Sequence, residues 1–131
     1  MNQKERQELV KYRITKARET FNEVDLHVKN NLWNTAVNRL YYACYYAVIA
    51  LLVDKGIQAQ THSGVRQMFG LHIVKPGLID KESGKFYTDI FDMRQTGDYD
   101  DYIDFKKEDV LDMMGPADEL ISKIEGLLFK E

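Results

Sequence analysis

Residues 33–51 limit the fold more than any other stretch. Trp33, Val37, Leu40, Cys44, Ala47 and Leu51 recur at alternating steps of four and three, the spacing that lines up side chains on one face of an α-helix. Ala36, Ala43, Ala50, Tyr41 and Val48 add a second apolar face to the same segment. A helix that is apolar on two sides needs neighbours on both, so a helix over about 32–55 is expected at the centre of a helical assembly. Gly56 is placed to end it in the left-handed conformation.

The rest of the chain keeps the helical period. Val10, Ile14, Ala17, Phe21, Val24 and Val28 predict an amphipathic first helix over about 3–29, with Lys11, Arg13, Lys16, Arg18, Glu19 and Glu23 on its other faces. Asn30 and Asn31 offer capping side chains between the two, which reads as an antiparallel hairpin. Thr61 can cap a short helix over about 62–70 that Gly70 stops, and KPGLIDKESGK at 75–85 reads as exposed turn. Phe86, Ile90 and Met93 with Tyr87 and Phe91 mark a fourth helix over about 84–96, ended by Gly97. Asp104 can cap a last helix carrying Val110, Met113, Ala117, Leu120, Ile124 and Leu127, with a kink or break expected near 112–116 because Pro116 removes one backbone donor. No strand-like alternation appears, so the expected fold is all-α, an up-and-down bundle of four to five helices, formed by 1–131 as one domain.

Charge and cysteine content narrow the function classes. Eighteen basic against 21 acidic residues give a net charge of −3, so the chain lacks the broad positive field of a nonspecific polyanion binder, and any nucleic-acid contact must be local. One cysteine, Cys44, can make no internal disulfide, and the charged start MNQKERQELVK is unlike a secretory signal. The apolar run AVIALLV is too short to span a bilayer. A soluble, cytoplasmic protein without a membrane partner is expected.

Three features carry chemistry. In RLYYACYYA, residues 39–47, Tyr41 and Tyr45 share one helix face and Tyr42 and Tyr46 the next. The reading favoured by composition is packing, with alanines allowing close approach and tyrosine hydroxyls at the rim; the alternative is an aromatic surface for a base or a partner subunit. His62 in THSG is spaced from His27 and His72 in no metal-ligand pattern, so no metal and no cofactor are expected, and its default role is a local hydrogen bond. The third feature is RQTGDYDDYIDF at 94–105, one arginine leading four aspartates and two tyrosines. Arg94 is expected in the last turn of the fourth helix, favoured there by the helix dipole and paired with Asp98. It can instead hold a phosphate, with a tyrosine hydroxyl beside it.

RLYYACYYAVIALLVDKG, THSGVRQMFGLHIVKPGLID and FDMRQTGDYDDY, in that order and before an acid-capped final helix, resemble the HEPN family (higher eukaryotes and prokaryotes nucleotide-binding domain), in its small stand-alone prokaryotic branch. The resemblance implies a homodimer formed through the long helices and a small nucleotidyltransferase partner in a toxin–antitoxin or defence module. It also implies, for many members, metal-independent RNA cleavage by an arginine and a histidine separated by four to six residues. The arginine falls on Arg94. The histidine is absent, since Tyr99, Asp100 and Asp101 occupy its expected places, and a tyrosine of ordinary pKa is a poor base at neutral pH. The reading that follows is a nucleotide, RNA-phosphate or partner-protein binding module, with Arg94, Asp98, Tyr99 and His62 as candidate binding residues. A ribonuclease with Arg94 and Tyr99 as candidate catalytic residues stands second, and a non-catalytic dimer scaffold third.

Overall fold

A computed structural model of the chain describes residues 1–99 and 103–130. Five α-helices follow one another: α1 (Gln3–Lys29), α2 (Trp33–Asp54), α3 (His62–Phe69), α4 (Lys81–Tyr99) and α5 (Lys107–Leu128), with a single π-turn, Gly70–Val74, continuing α3. There is no strand among the described residues. The all-α bundle expected from the sequence is the observed fold.

Packing makes α2 the axis. It lies against α1, α4 and α5 and touches α3. Ala36, Val37, Leu40, Tyr41, Ala43, Cys44, Ala47, Val48, Ala50 and Leu51 are wholly buried. Four alanines among them keep that helix thin enough for three neighbours to close on it. By length and composition alone α2 could cross a membrane, yet most of it is buried among the other helices, as the core helix of a bundle must be.

The connections show where local chemistry was read correctly and where packing overrode it. Asn31 takes φ 58° and Gly56 φ 71°, the left-handed residues that end α1 and α2. Asn30 closes the end of α1, its side-chain amide donating to the Leu26 carbonyl at 2.8 Å, whereas α2 begins at Leu32 without a side-chain cap. Thr61 caps α3, accepting from the Gly64 amide at 2.9 Å. Gly70 does not stop that helix: its backbone is right-handed, and the chain runs on through the π-turn so that Ile73 reaches the core.

The stretch 75–85, expected as exposed turn, divides in two. Asp80 caps α4 by accepting from the Ser83 amide at 3.1 Å, and Ile79, Ser83 and Gly84 are buried. Lys123 of α5 reaches both Asp80 (2.8 Å) and Ser83 Oγ (2.9 Å), so the start of α4 is tied to α5. Gly97 does not end α4, which continues to Tyr99. Its role is close approach: a Cβ there would stand 2.5 Å from Phe105 Cε2.

The last helix begins at Lys107, not after Asp104; the Asp109 carboxylate accepts from the Lys106 amide at 2.9 Å and serves as its cap. The helix is continuous through Pro116. The proline is exposed, its predecessor is Gly115 rather than a side chain it would crowd, and buried Met113, Ala117 and Leu120 hold both halves to the core. A second clamp comes from Arg18 of α1, which donates to Asp118, Ser122 and Glu125 on α5 at 2.6–3.1 Å.

Candidate functional site

The centre of the site is the ring of Tyr41. It is fully buried in mid-α2, stacked between Tyr45 (5.9 Å between centroids) and Tyr87 (6.1 Å), with Phe91 edge-on at 5.9 Å. The pairing of Tyr41 with Tyr45 follows from their spacing of one helical turn. Two polar groups meet this one side chain. The Arg94 guanidinium lies over its face, Cζ 4.6 Å from the centroid, and Nδ1 of His62 is 2.6 Å from its hydroxyl.

Arg94 is only 6% exposed. Because α4 extends to Tyr99, Arg94 lies more than a turn from the helix end, so the dipole is not what holds it. Aromatic faces hold it instead, Tyr41 first and then Tyr42 and Phe91, both at 5.9 Å; such contacts contribute on the order of 0.5–2 kcal/mol each once desolvated. The expected Arg94–Asp98 pair is present one turn on, at 3.6 Å from Nη1. That distance gives an ionic contact rather than a hydrogen bond. The Asp98 carboxylate also accepts from the Asn38 side-chain amide at 3.2 Å, and Arg94 Nε is buried with no acceptor among the described residues. The guanidinium therefore keeps donors that nothing in the described chain satisfies.

His62 opens α3 directly after the Thr61 cap, and that position aims its ring at α2. It stacks on Tyr45 at 4.3 Å, nearly parallel, and meets Tyr42 edge-on at 5.7 Å. Burial, with the Arg94 charge as the second cause, lowers its pKa below the ordinary histidine value. Burial pushes the Tyr41 phenol up to about 12, so that hydroxyl keeps its proton at neutral pH. Its lowered pKa favours the neutral imidazole, the bond to Tyr41 fixes the ring, and among the described residues its Nε2 has no hydrogen-bond partner.

Of the four candidate site residues, the structure brings three to one place. Arg94 and His62 share Tyr41, and Asp98 faces Arg94. Tyr99, at the end of α4, is 79% exposed and joins none of the aromatic pairs of the cluster. Asp100 and Asp101 lie outside the described residues. Sequence reasoning missed Asn38 and Tyr41 as parts of the site. Tyr41 was visible as one of four tyrosines, but nothing local marks it as the one that meets both an arginine 53 residues on (94 − 41) and a histidine from another helix. No cluster of metal-binding side chains occurs among the described residues.

The centre of the bundle thus sets an arginine and a histidine on one tyrosine, and comparison with known proteins gives this helical domain a family. The family model for the HEPN domain matches residues 10–127, and the chain belongs to that family. It is 41% identical over 128 residues to a UPF0332 protein of Thermotoga maritima, covering 98% of this chain and 96% of that one. It is 33% identical over 114 residues to a Methanocaldococcus jannaschii protein named "Putative toxin MJ0142", covering 83% of this chain and 78% of the relative. A second protein of that organism, "Putative toxin MJ0605", is 35% identical over 83 residues, 63% and 62% of the two chains.

Proposed function

We propose that this HEPN-family chain is a cytoplasmic binding module that takes a phosphate of single-stranded RNA or of a nucleotide at Arg94, within a toxin–antitoxin or nucleotidyltransferase-associated system. The observation that carries the reading is the state of Arg94: a buried guanidinium, laid on an aromatic face, with Nε unpaired among the described residues and its carboxylate neighbour at 3.6 Å. A phosphate presents several acceptors to a planar fork of donors, and it offers Arg94 what Asp98 at that distance does not. Asn38 gives Asp98 a second partner, so the carboxylate can yield Arg94 without losing every hydrogen bond. The toxin names of two relatives agree with the proposed system.

The partners belong to the same proposal. A homodimer would cover the half-buried stripe of Tyr42, Tyr45, Tyr46 and Ile49 on α2 and set two copies of the site face to face. A small nucleotidyltransferase is the partner protein that the family resemblance suggests. Light scattering at micromolar concentration tests the dimer; a monomer mass removes the face-to-face pair of sites.

A second reading, a metal-independent RNA endonuclease, is favoured by one observation: an imidazole stands on the same tyrosine as the arginine. Anisotropy titration of a labelled single-stranded RNA and of an ATP analogue, with wild type and Arg94→Gln at two salt concentrations, tests the binding reading. Salt-sensitive binding lost in the variant supports it. An Arg94 variant that changes stability and no affinity leaves only a scaffold.

A further inference from the structure

A second guanidinium stands close to Arg94. The ring of Phe91, 5.9 Å from Arg94 Cζ, also carries Arg66 of α3, whose Cζ is 4.5 Å from the same centroid. The two guanidinium carbons are therefore no farther apart than the sum of those distances. Neither is held in a pair short enough for a hydrogen bond, since Arg66 meets Asp92 at 3.6 Å, as Arg94 meets Asp98. We infer that the groove between α3 and α4, rimmed by Arg66 and Lys85, is a second phosphate subsite, so that the ligand of the Arg94 site is a single strand of RNA held at two or more phosphates rather than a nucleoside monophosphate. The inference rests on the phosphate-binding reading above and names the ligand class within it.

The geometry of α3 sets this up. His62 and Arg66 are one turn apart and so lie on one face of that helix; His62 reaches the Tyr41 hydroxyl, while Arg66 reaches Phe91 and Asp92. Beside Arg66 a groove of about 240 Å³ opens against α4, with Phe69 and Val74 as its apolar wall and exposed Lys85 across from them. A Cβ at Gly70 would meet nothing within 4 Å, so that side is open to a ligand. Arg66 and Lys85 are the charged groups lining the groove, and no carboxylate lines it among the described residues. Lys85 forms no ion pair among the described residues. The Asp92 side chain is 61% exposed, so it can turn to water when a phosphate takes its place at Arg66.

Two subsites on one strand act together. A strand advances ~3.4 Å per phosphate when stacked and more when extended, so it bridges the two guanidinia within a few phosphates. A phosphate held at Arg94 brings the next ones to Arg66 at high effective concentration, and a nucleoside monophosphate has no second group to offer. Each guanidinium is a planar fork of donors, and its aromatic neighbour fixes the fork before the ligand arrives. Such contacts read phosphate and not base, so they select strand length over base sequence. They also concentrate positive charge locally on a chain whose net charge is −3.

The experiment is an anisotropy titration of the full chain with a labelled short single-stranded RNA and, separately, a labelled nucleoside monophosphate, each at two salt concentrations. Wild type should bind the RNA roughly tenfold or more tightly than the monophosphate. Arg66→Gln, shown folded by circular dichroism, should weaken RNA binding roughly three- to tenfold and reduce the slope of log K against log salt by about 0.7, the share of one single-strand phosphate, while monophosphate affinity stays as in wild type. Lys85→Gln should act in the same direction. Asp92→Asn, which keeps Arg66 in place, should tighten RNA binding severalfold and leave the monophosphate unchanged. A folded Arg66→Gln with wild-type RNA affinity and salt slope overturns the inference and leaves the Arg94 reading standing; so does a wild type that binds monophosphate as tightly as RNA. Loss of monophosphate binding along with RNA binding in Arg66→Gln also overturns it, since Arg66 would then belong to the Arg94 contact. If Arg66→Gln does not fold, Asp92→Asn decides, and RNA affinity there that is unchanged or weaker overturns the inference. Wild type that binds neither ligand overturns both readings.

Discussion

The Tyr41 hydroxyl and His62 Nδ1 lie 2.6 Å apart, while the other side of the same tyrosine carries the Arg94 guanidinium at 4.6 Å. One buried ring thus couples α2, α3 and α4, and substitutions around it should separate fold from function.

Asp98 holds Arg94 only loosely, so its removal should help a competing anion. Asp98→Asn is expected to tighten binding of a single-stranded RNA severalfold while lowering stability by about 1–2 kcal/mol, since a buried cation loses its counter-charge. Parallel anisotropy and denaturant titrations check this; weaker binding in Asp98→Asn would make Asp98 a ligand contact rather than a competitor.

Gly97 faces Phe105 across the join between α4 and α5. Gly97→Ala should cost roughly 1–3 kcal/mol, because the added methyl stands inside the ring's contact distance and the ring is part of the core packing. Phe105→Leu in the same background should recover part of that loss in urea melts, whereas full stability of Gly97→Ala alone would mean the ring moves aside freely.

The lowered pKa of His62 has a sign that can be worked through. The folded protein binds a proton at His62 less readily than the unfolded chain, so the unfolded state gains protons first as pH falls. Stability should therefore decline on acidification from about 6.5 through the folded value, and be unaffected by this group well above 6.5. Measured as melting temperature against pH, wild type should show a slope in that window that His62→Asn flattens.

Cys44 is wholly buried in α2, and burial pushes its thiol up to about 12. A thiol reagent should label it only at the rate of unfolding; rapid labelling of native protein would show that the core around α2 opens locally.

What the sequence disclosed, and what it hid, follows the range of the interactions. The periods of α1, α2 and α5 were legible because each buries a face of its own, and the boundaries 3–29 for α1 came out as observed. Gly56 was legible because left-handed backbone is a local demand. Gly97 was misread as a helix end since the same residue also serves close packing, and the space beside it is set by Phe105 from another part of the chain; Gly70 has open space beside it and keeps right-handed backbone as the chain runs on to buried Ile73. Pro116 was expected to interrupt α5; the cost of one missing donor at an exposed position is outweighed by the buried residues on both sides. In the site, the Arg94–Asp98 pair was visible as a one-turn spacing. The meeting of His62 with Tyr41 was not, because it depends on how α3 docks on α2, which no spacing within either helix encodes.

The central claim is that Arg94 is an anion site rather than a structural cation. The most direct test is the dissociation constant of one short single-stranded RNA for wild type and for Arg94→Gln, at two salt concentrations, with both proteins first shown folded by circular dichroism. The account predicts wild-type binding that weakens as salt rises and a loss of at least tenfold in folded Arg94→Gln, with a shallower salt dependence. Equal affinity and equal salt dependence in the two folded proteins would contradict it.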